Sequence, residues 1–154
     1  MELILWRHAE AEDQAPGGDS ARPLTKRGRR QAERMAQWLR PRLEGEWRIV
    51  VSAAVRTLET VKPLELPFVV SEAVGTAGGP ASVLKETNWP DNARPVIVVG
   101  HQPTLGEVAA RLLQGGEGDV AMRKGAVWWF STRERDGRTE TVLKAVMNPE
   151  MLDD

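Results

Sequence analysis

The chain contains two histidines, His8 and His101, and both follow directly on an apolar run. Glu2 to Trp6 (ELILW) hands over to Arg7-His8, and Pro95 to Gly100 (PVIVVG) hands over to His101. A third run, Arg48 to Ser52 (RIVVS), is followed closely by Arg56. An imidazole can attack phosphorus and hold the phosphoryl group as a covalent intermediate. A guanidinium stays charged and presents a planar fork of donors that matches phosphate oxygens. Phosphoryl transfer asks mainly for positioning and for neutralisation of the equatorial oxygens. Two guanidiniums and a second, protonated imidazole would supply that charge without a metal ion. Taken singly, these residues have plainer readings: a strand-end imidazole satisfied by backbone, a Gly-His turn, a surface helix charge at Arg56. Their equivalent positions after apolar runs point instead to one phosphate site.

The elements that must position them follow from periodicity. ELILW, RIVVS, Leu66 to Ser71 (LPFVVS) and PVIVVG read as buried strands. Between the first two, Thr25 suits a helix N-cap, because its hydroxyl can accept an otherwise unpaired backbone N–H. Ala32, Met35, Ala36, Leu39 and Leu43 then share one helical face, which Pro41 ends. Gly28 in the first turn marks close packing. Ala53 to Leu64 and Ala81 to Pro90 hold shorter helical patterns, and Pro103 to Gly116 reads as a helix with Pro103 in its first turn and Gly115 past its end. Alternation on both sides of Asp136-Gly137 predicts a hairpin. Trp128 and Trp129 lie on opposite sides of its first strand and read as packing. Strands alternating with helices imply an α/β sandwich with a mostly parallel sheet and an antiparallel hairpin at one edge. In such sheets ligands bind beyond the C-terminal ends of the strands, where both histidines fall.

Composition narrows the function. A chain of 154 residues is expected to form a single domain, residues 1–154, and its 41% hydrophobic and 28% charged residues fit a soluble globular protein. No apolar run approaches the roughly 20 residues of a membrane span, so no membrane partner is expected. No signal-peptide pattern occurs at the N-terminus, and a cytoplasmic location is the expectation. Zero cysteines exclude disulfides, thiolate catalysis and thiolate metal sites, and with only two histidines a zinc site would have to recruit carboxylates; no metal and no cofactor is expected. A net charge of −1 gives no field for nucleic acid. The basic stretch KRGRR (Lys26 to Arg30) reads as a solvated helix face. Ser52 reads as a strand-end hydrogen bonder, and Lys124-Gly125 as a solvated loop.

Four blocks together resemble the histidine phosphatase (phosphoglycerate mutase-like) superfamily: LWRHAE (Leu5 to Glu10), RPLTKRGRRQA (Arg22 to Ala32), SAAVRTLET (Ser52 to Thr60) and VVGHQPTLG (Val98 to Gly106). RHAEA, RPLT and GHQPTLG are similar to the small, SixA-type branch of protein phosphohistidine phosphatases. The third block departs from the family's Ser-Pro-x-x-Arg-Ala-x-Gln-Thr at Ala53, Thr57 and Glu59, and Glu59 adds a carboxylate near the expected site. The resemblance implies a three-layer α/β/α sandwich and a metal-independent phosphatase. It implies His8 as nucleophile, Arg7 and Arg56 as the phosphoryl clamp, and His101 as a hydrogen-bond donor to the same oxygens. Gln102 is expected to offer its backbone N–H to the anion, and Arg22 a rim contact to substrate. Phosphate binding is expected to favour charge on His101.

The expected partners are a phosphohistidine-containing protein, such as a phosphotransfer domain, and inorganic phosphate or another oxyanion in the pocket. The candidate general acids are Glu10, Glu72 and Glu86, and no motif singles one out. SixA-type members manage without a dedicated acid, because the P–N bond breaks more readily than an ester and the imidazole can leave with its own proton. The alternatives are a phosphatase of small phosphoesters or sugar phosphates on the same fold, and a catalytically idle phosphate-binding module.

Overall fold

The computed structural model describes residues 1–152. Six strands form one sheet: β1 (Glu2–Arg7), β2 (Arg48–Val51), β3 (Val69–Val70), β4 (Val96–Gly100), β5 (Val127–Arg135) and β6 (Arg138–Met147). Their spatial order is β3-β2-β4-β1-β5-β6. The first four in that order run parallel, and β5 and β6 are antiparallel additions on the far side of β1. This is the expected α/β fold with its antiparallel hairpin.

Side chains alternate along each central strand, so each strand feeds two cores. Ile4 and Trp6 face one layer with Ile49, Val51, Ile97 and Val99, beneath α1 (Lys26–Leu39) and α2 (Val55–Val61). Leu3 and Leu5 face the other with Val50, Val96 and Val98, beneath α3 (Pro80–Thr87) and α4 (Thr104–Gln114). Burial on both faces explains why these strands read as continuous apolar runs.

Several local expectations hold. Thr25 caps α1, its hydroxyl accepting from Gly28 N at 2.9 Å. Gly28 packs so tightly that a Cβ there would lie 1.9 Å from the Glu10 carbonyl oxygen. The KRGRR cations all face solvent. Asp136 and Gly137 turn the hairpin with φ of 51° and 75°, the left-handed pair that a two-residue type I′ turn requires. Trp129 is buried and Trp128 only partly so.

Two expectations shift. Of the predicted third strand, Val69 and Val70 lie in register with β2 and Ser71 N donates to Val51 O, whereas residues 65–70 are exposed throughout. Pro67 has no N–H to donate, and an edge position next to β2 alone gives the run no second neighbour. Pro103 precedes α4 as its cap and lies outside the first turn. No helix among the described residues is long and apolar enough to cross a membrane.

Candidate active site

The parallel pairing of β1 with β4 places Arg7 opposite Gly100, so the residues that follow, His8 and His101, emerge side by side. His8 N donates to Gly100 O at 3.0 Å, and the two rings lie 5.5 Å apart between centroids, tilted by 56°. β2 ends on the other side of β4, where Ser52 N donates to Val99 O and Arg56 opens α2. One end of three adjacent strands thus gathers both imidazoles and two guanidiniums.

His8 is almost fully buried, and its Nδ1 lies 2.7 Å from the Ala9 carbonyl oxygen. A carbonyl only accepts, so Nδ1 carries the proton and Nε2 keeps its lone pair. Burial pushes the His8 pKa down to about 3, and His101, Arg56 and Arg7 add to the shift against the Ala9 carbonyl, which favours the charged ring. The imidazole is therefore neutral, as a nucleophile must be.

His101 Nε2 lies 2.8 Å from Ser52 Oγ, while its Nδ1 is buried with no partner among the described residues. Burial, then the Arg56 charge, lowers the His101 pKa to about 4, and Asp19 opposes that shift. The ring is therefore neutral near pH 7, chiefly because it is buried and secondly because Arg56 is nearby. Ser52 is the hydrogen bonder it was expected to be.

Arg7 Nη1 donates to Met122 O at 2.7 Å, which fixes the guanidinium without a carboxylate. Arg56 is buried, and its fork donates to the backbone oxygen and the carboxylate of Asp19 at 2.9 and 3.2 Å. Arg7 Nε and Arg56 Nε, like His101 Nδ1, are buried without a partner among the described residues. Unpartnered buried polar atoms are unusual, and two guanidinium donors with a ring nitrogen in one cluster suit an anion site.

All six nominated residues line one cleft of about 300 Å³: Arg7, His8, Arg22, Arg56, His101 and Gln102. Arg22 is held at its edge by Asp19 and by the Glu12 carbonyl. The Gln102 side chain is committed to the fold, spanning Val120 O at 3.0 Å and Gly106 N at 2.6 Å. The only cleft residues not foreseen as contributors are Ala11, Asp13, Thr76 and Lys124. Lys124 reaches the cleft because Gly125 N donates to His8 O, tying the segment before β5 to the end of β1.

None of the three nominated acids lines this cleft. Glu86 pairs with Arg48 at 3.1 Å, at the start of β2 and hence the opposite end of the sheet. Glu10 accepts from Thr25 Oγ1 at 2.9 Å, and Glu72 is exposed on a short turn after β3. Glu59, expected to add charge to the site, instead accepts from Leu24 N at 2.8 Å and anchors the segment entering α1. Thr57 is fully buried and its hydroxyl lies 2.8 Å from both Ser52 O and Ala54 O, tightening the turn before Arg56. Nothing in the sequence points to Asp19, which lies far from Arg56 along the chain, inside a Gly/Pro-rich loop without periodicity. A larger hollow between α1 and α2, lined by Arg29, Glu33, Lys62 and neighbours, is of mixed charge and lies away from both histidines. No group of three or more His, Cys, Asp or Glu among the described residues is arranged to hold a metal ion.

Comparison with known proteins agrees with this geometry. Residues 3–73 match the model of the histidine phosphatase superfamily (branch 1). The phosphohistidine phosphatase SixA homolog of Haemophilus influenzae is 34% identical over 127 residues, covering 73% of this chain and 77% of that protein. Phosphohistidine phosphatase SixA of Escherichia coli is 31% identical over 125 residues, covering 75% and 76%. The solved structure of the protein histidine phosphatase SixA complexed with tungstate superposes with a TM-score of 0.76 at 28% identity, covering 98% of this chain and 99% of that one.

Proposed function

This chain belongs to the histidine phosphatase superfamily and is a phosphatase, and from that premise we propose that it removes phosphate from phosphohistidine on proteins through a phosphorylated His8. The observation that carries the reading is the juxtaposition of the His8 and His101 rings, 5.5 Å apart, with Arg7 and Arg56 in the same cleft. His8 Nε2 attacks phosphorus, the P–N bond to the substrate imidazole breaks, and the phosphoryl group rests on His8. Arg7 and Arg56 neutralise its oxygens and His101 donates to them, so the protein's own cations do the work a metal ion does elsewhere. Water then attacks the phosphorus, and the His8–phosphorus bond breaks to release inorganic phosphate and restore the ring.

A phosphohistidine substrate is favoured by the absence of Glu10, Glu72 and Glu86 from the cleft. An alkoxide leaving group needs a proton donor, whereas an imidazole departs more readily. Asp13 is the observation on the other side: an exposed carboxylate at the cleft that suits a phosphoester with an alkoxide leaving group. Incubation with a histidine-phosphorylated phosphotransfer domain tests the reading. The expected result is turnover unaffected by EDTA, and an acid-labile, base-stable label that His8→Ala loses. Faster turnover of small alkyl phosphates would assign the cleft to metabolites, and tight oxyanion binding without label or turnover would leave a binding module.

A further inference from the structure

Arg7 and Arg56 face the same cleft but are neutralised differently. Among the described residues Arg7 is held by a backbone carbonyl, whereas Arg56 carries a full counter-charge from Asp19. The Arg56 side chain is 4% exposed and that of Asp19 is 65% exposed. The carboxylate therefore lies on the solvent side of a guanidinium that burial would otherwise leave uncompensated. Asp19 also receives Arg22 Nε at 3.0 Å, so one carboxylate links two cations of the cleft. Gly18, with φ of 91°, turns the loop in the left-handed region immediately before it. Arg56 holds the Asp19 carboxyl below its ordinary range, so the carboxylate is charged near neutral pH. The same carboxylate is the one group that raises the basicity of His101, which places its field across the cleft.

We propose that Asp19 is a positioning residue whose charge limits how tightly the cleft holds a phosphate-like anion. In its absence Arg7, Arg22, Arg56 and Lys124 would face product phosphate with only the exposed Asp13 carboxylate in the cleft lining to oppose them. With it, Arg56 and Arg22 stay oriented through their hydrogen bonds while part of their positive field is cancelled. Asp19 thus trades affinity for release, acting through Arg56 and Arg22 and touching no reacting atom. This rests on the phosphatase reading of the cleft.

The test is tungstate binding by calorimetry, alongside phosphate inhibition of turnover, in Asp19→Asn and Asp19→Glu. Asparagine removes the charge and keeps one side-chain acceptor oxygen, toward either Arg56 or Arg22, while the backbone oxygen of residue 19 still accepts from Arg56. Both anions should then bind about three- to tenfold tighter, as expected for the loss of one like charge at short range in a partly screened site. Glutamate keeps the charge and should stay within about twofold of the parent. A merely structural role would weaken anion binding in both variants. Unchanged or weaker tungstate binding in Asp19→Asn, with wild-type turnover intact, overturns the proposal alone, as does equal tightening in Asp19→Glu. Wild-type protein that neither turns over phosphohistidine nor binds tungstate overturns the functional reading, and this inference with it.

Discussion

The neutrality of the two site histidines has a measurable consequence for stability. Both rings are held below the ordinary histidine value, His8 at about 3 and His101 at about 4, chiefly by burial. The unfolded chain takes up these protons near pH 6.5, and the folded chain does not until far lower. Between those limits the unfolded state binds more protons, so folding stability falls as pH falls. Each histidine contributes a slope of up to about 1.4 kcal/mol per pH unit. Asp19, whose pKa is lowered by Arg56, adds a loss only below the usual carboxylate range. Urea titrations at pH 7 and pH 5 should show the decline, and His101→Asn should flatten it; a slope unaltered in that variant would refute the assignment. At this scale the sequence disclosed the imidazoles and the arginines, because chemistry is written in residue type. It did not disclose Asp19, whose role depends on a loop folding back onto α2, nor that Glu86 sits at the wrong end of the sheet.

The elements are joined at the site by small side chains. Thr60, buried on α2, donates to Arg56 O at 2.7 Å and accepts from Ala9 N at 3.0 Å, so one hydroxyl fastens the loop after His8 to the helix of Arg56. Gly28 sets the approach of α1 to the same loop. Gly28→Ala would press a methyl group into the Glu10 carbonyl, a backbone contact that no rotamer relieves. A loss of about 1–3 kcal/mol in urea denaturation is expected, with reduced turnover because Glu10 lies close to His8 in the chain. A variant as stable and active as the parent would show that the loop gives way freely. Helices and central strands were legible because caps, glycines and two-sided burial leave marks in sequence. The third strand was overread, since Leu66, Phe68, Val69 and Val70 are apolar yet exposed at an edge. Apolar character alone does not say whether a neighbour is there to cover it.

Across the whole molecule, the site draws on β1, on α2 after β2, and on the end of β4, so an anion bound there ties distant parts of the chain together. Binding to the folded state alone stabilises by about 2.7 kcal/mol at a hundredfold excess over Kd. For a domain of this size that is a rise of roughly 5–10 °C in Tm. Scanning calorimetry with and without tungstate should show it, and Arg56→Ala should abolish most of it; an equal rise in that variant would place the anion elsewhere. The strand order carries a last consequence. β1 lies in the middle of the sheet, yet both its neighbours, β4 and β5, come from the later half of the chain. Whatever folds early, the strand bearing Arg7 must wait for pairings across great sequence separation, which are slow to close. Recovery of activity after denaturation therefore reports the pairing of β1 and β2 with β4, which brings His8, Arg56 and His101 together.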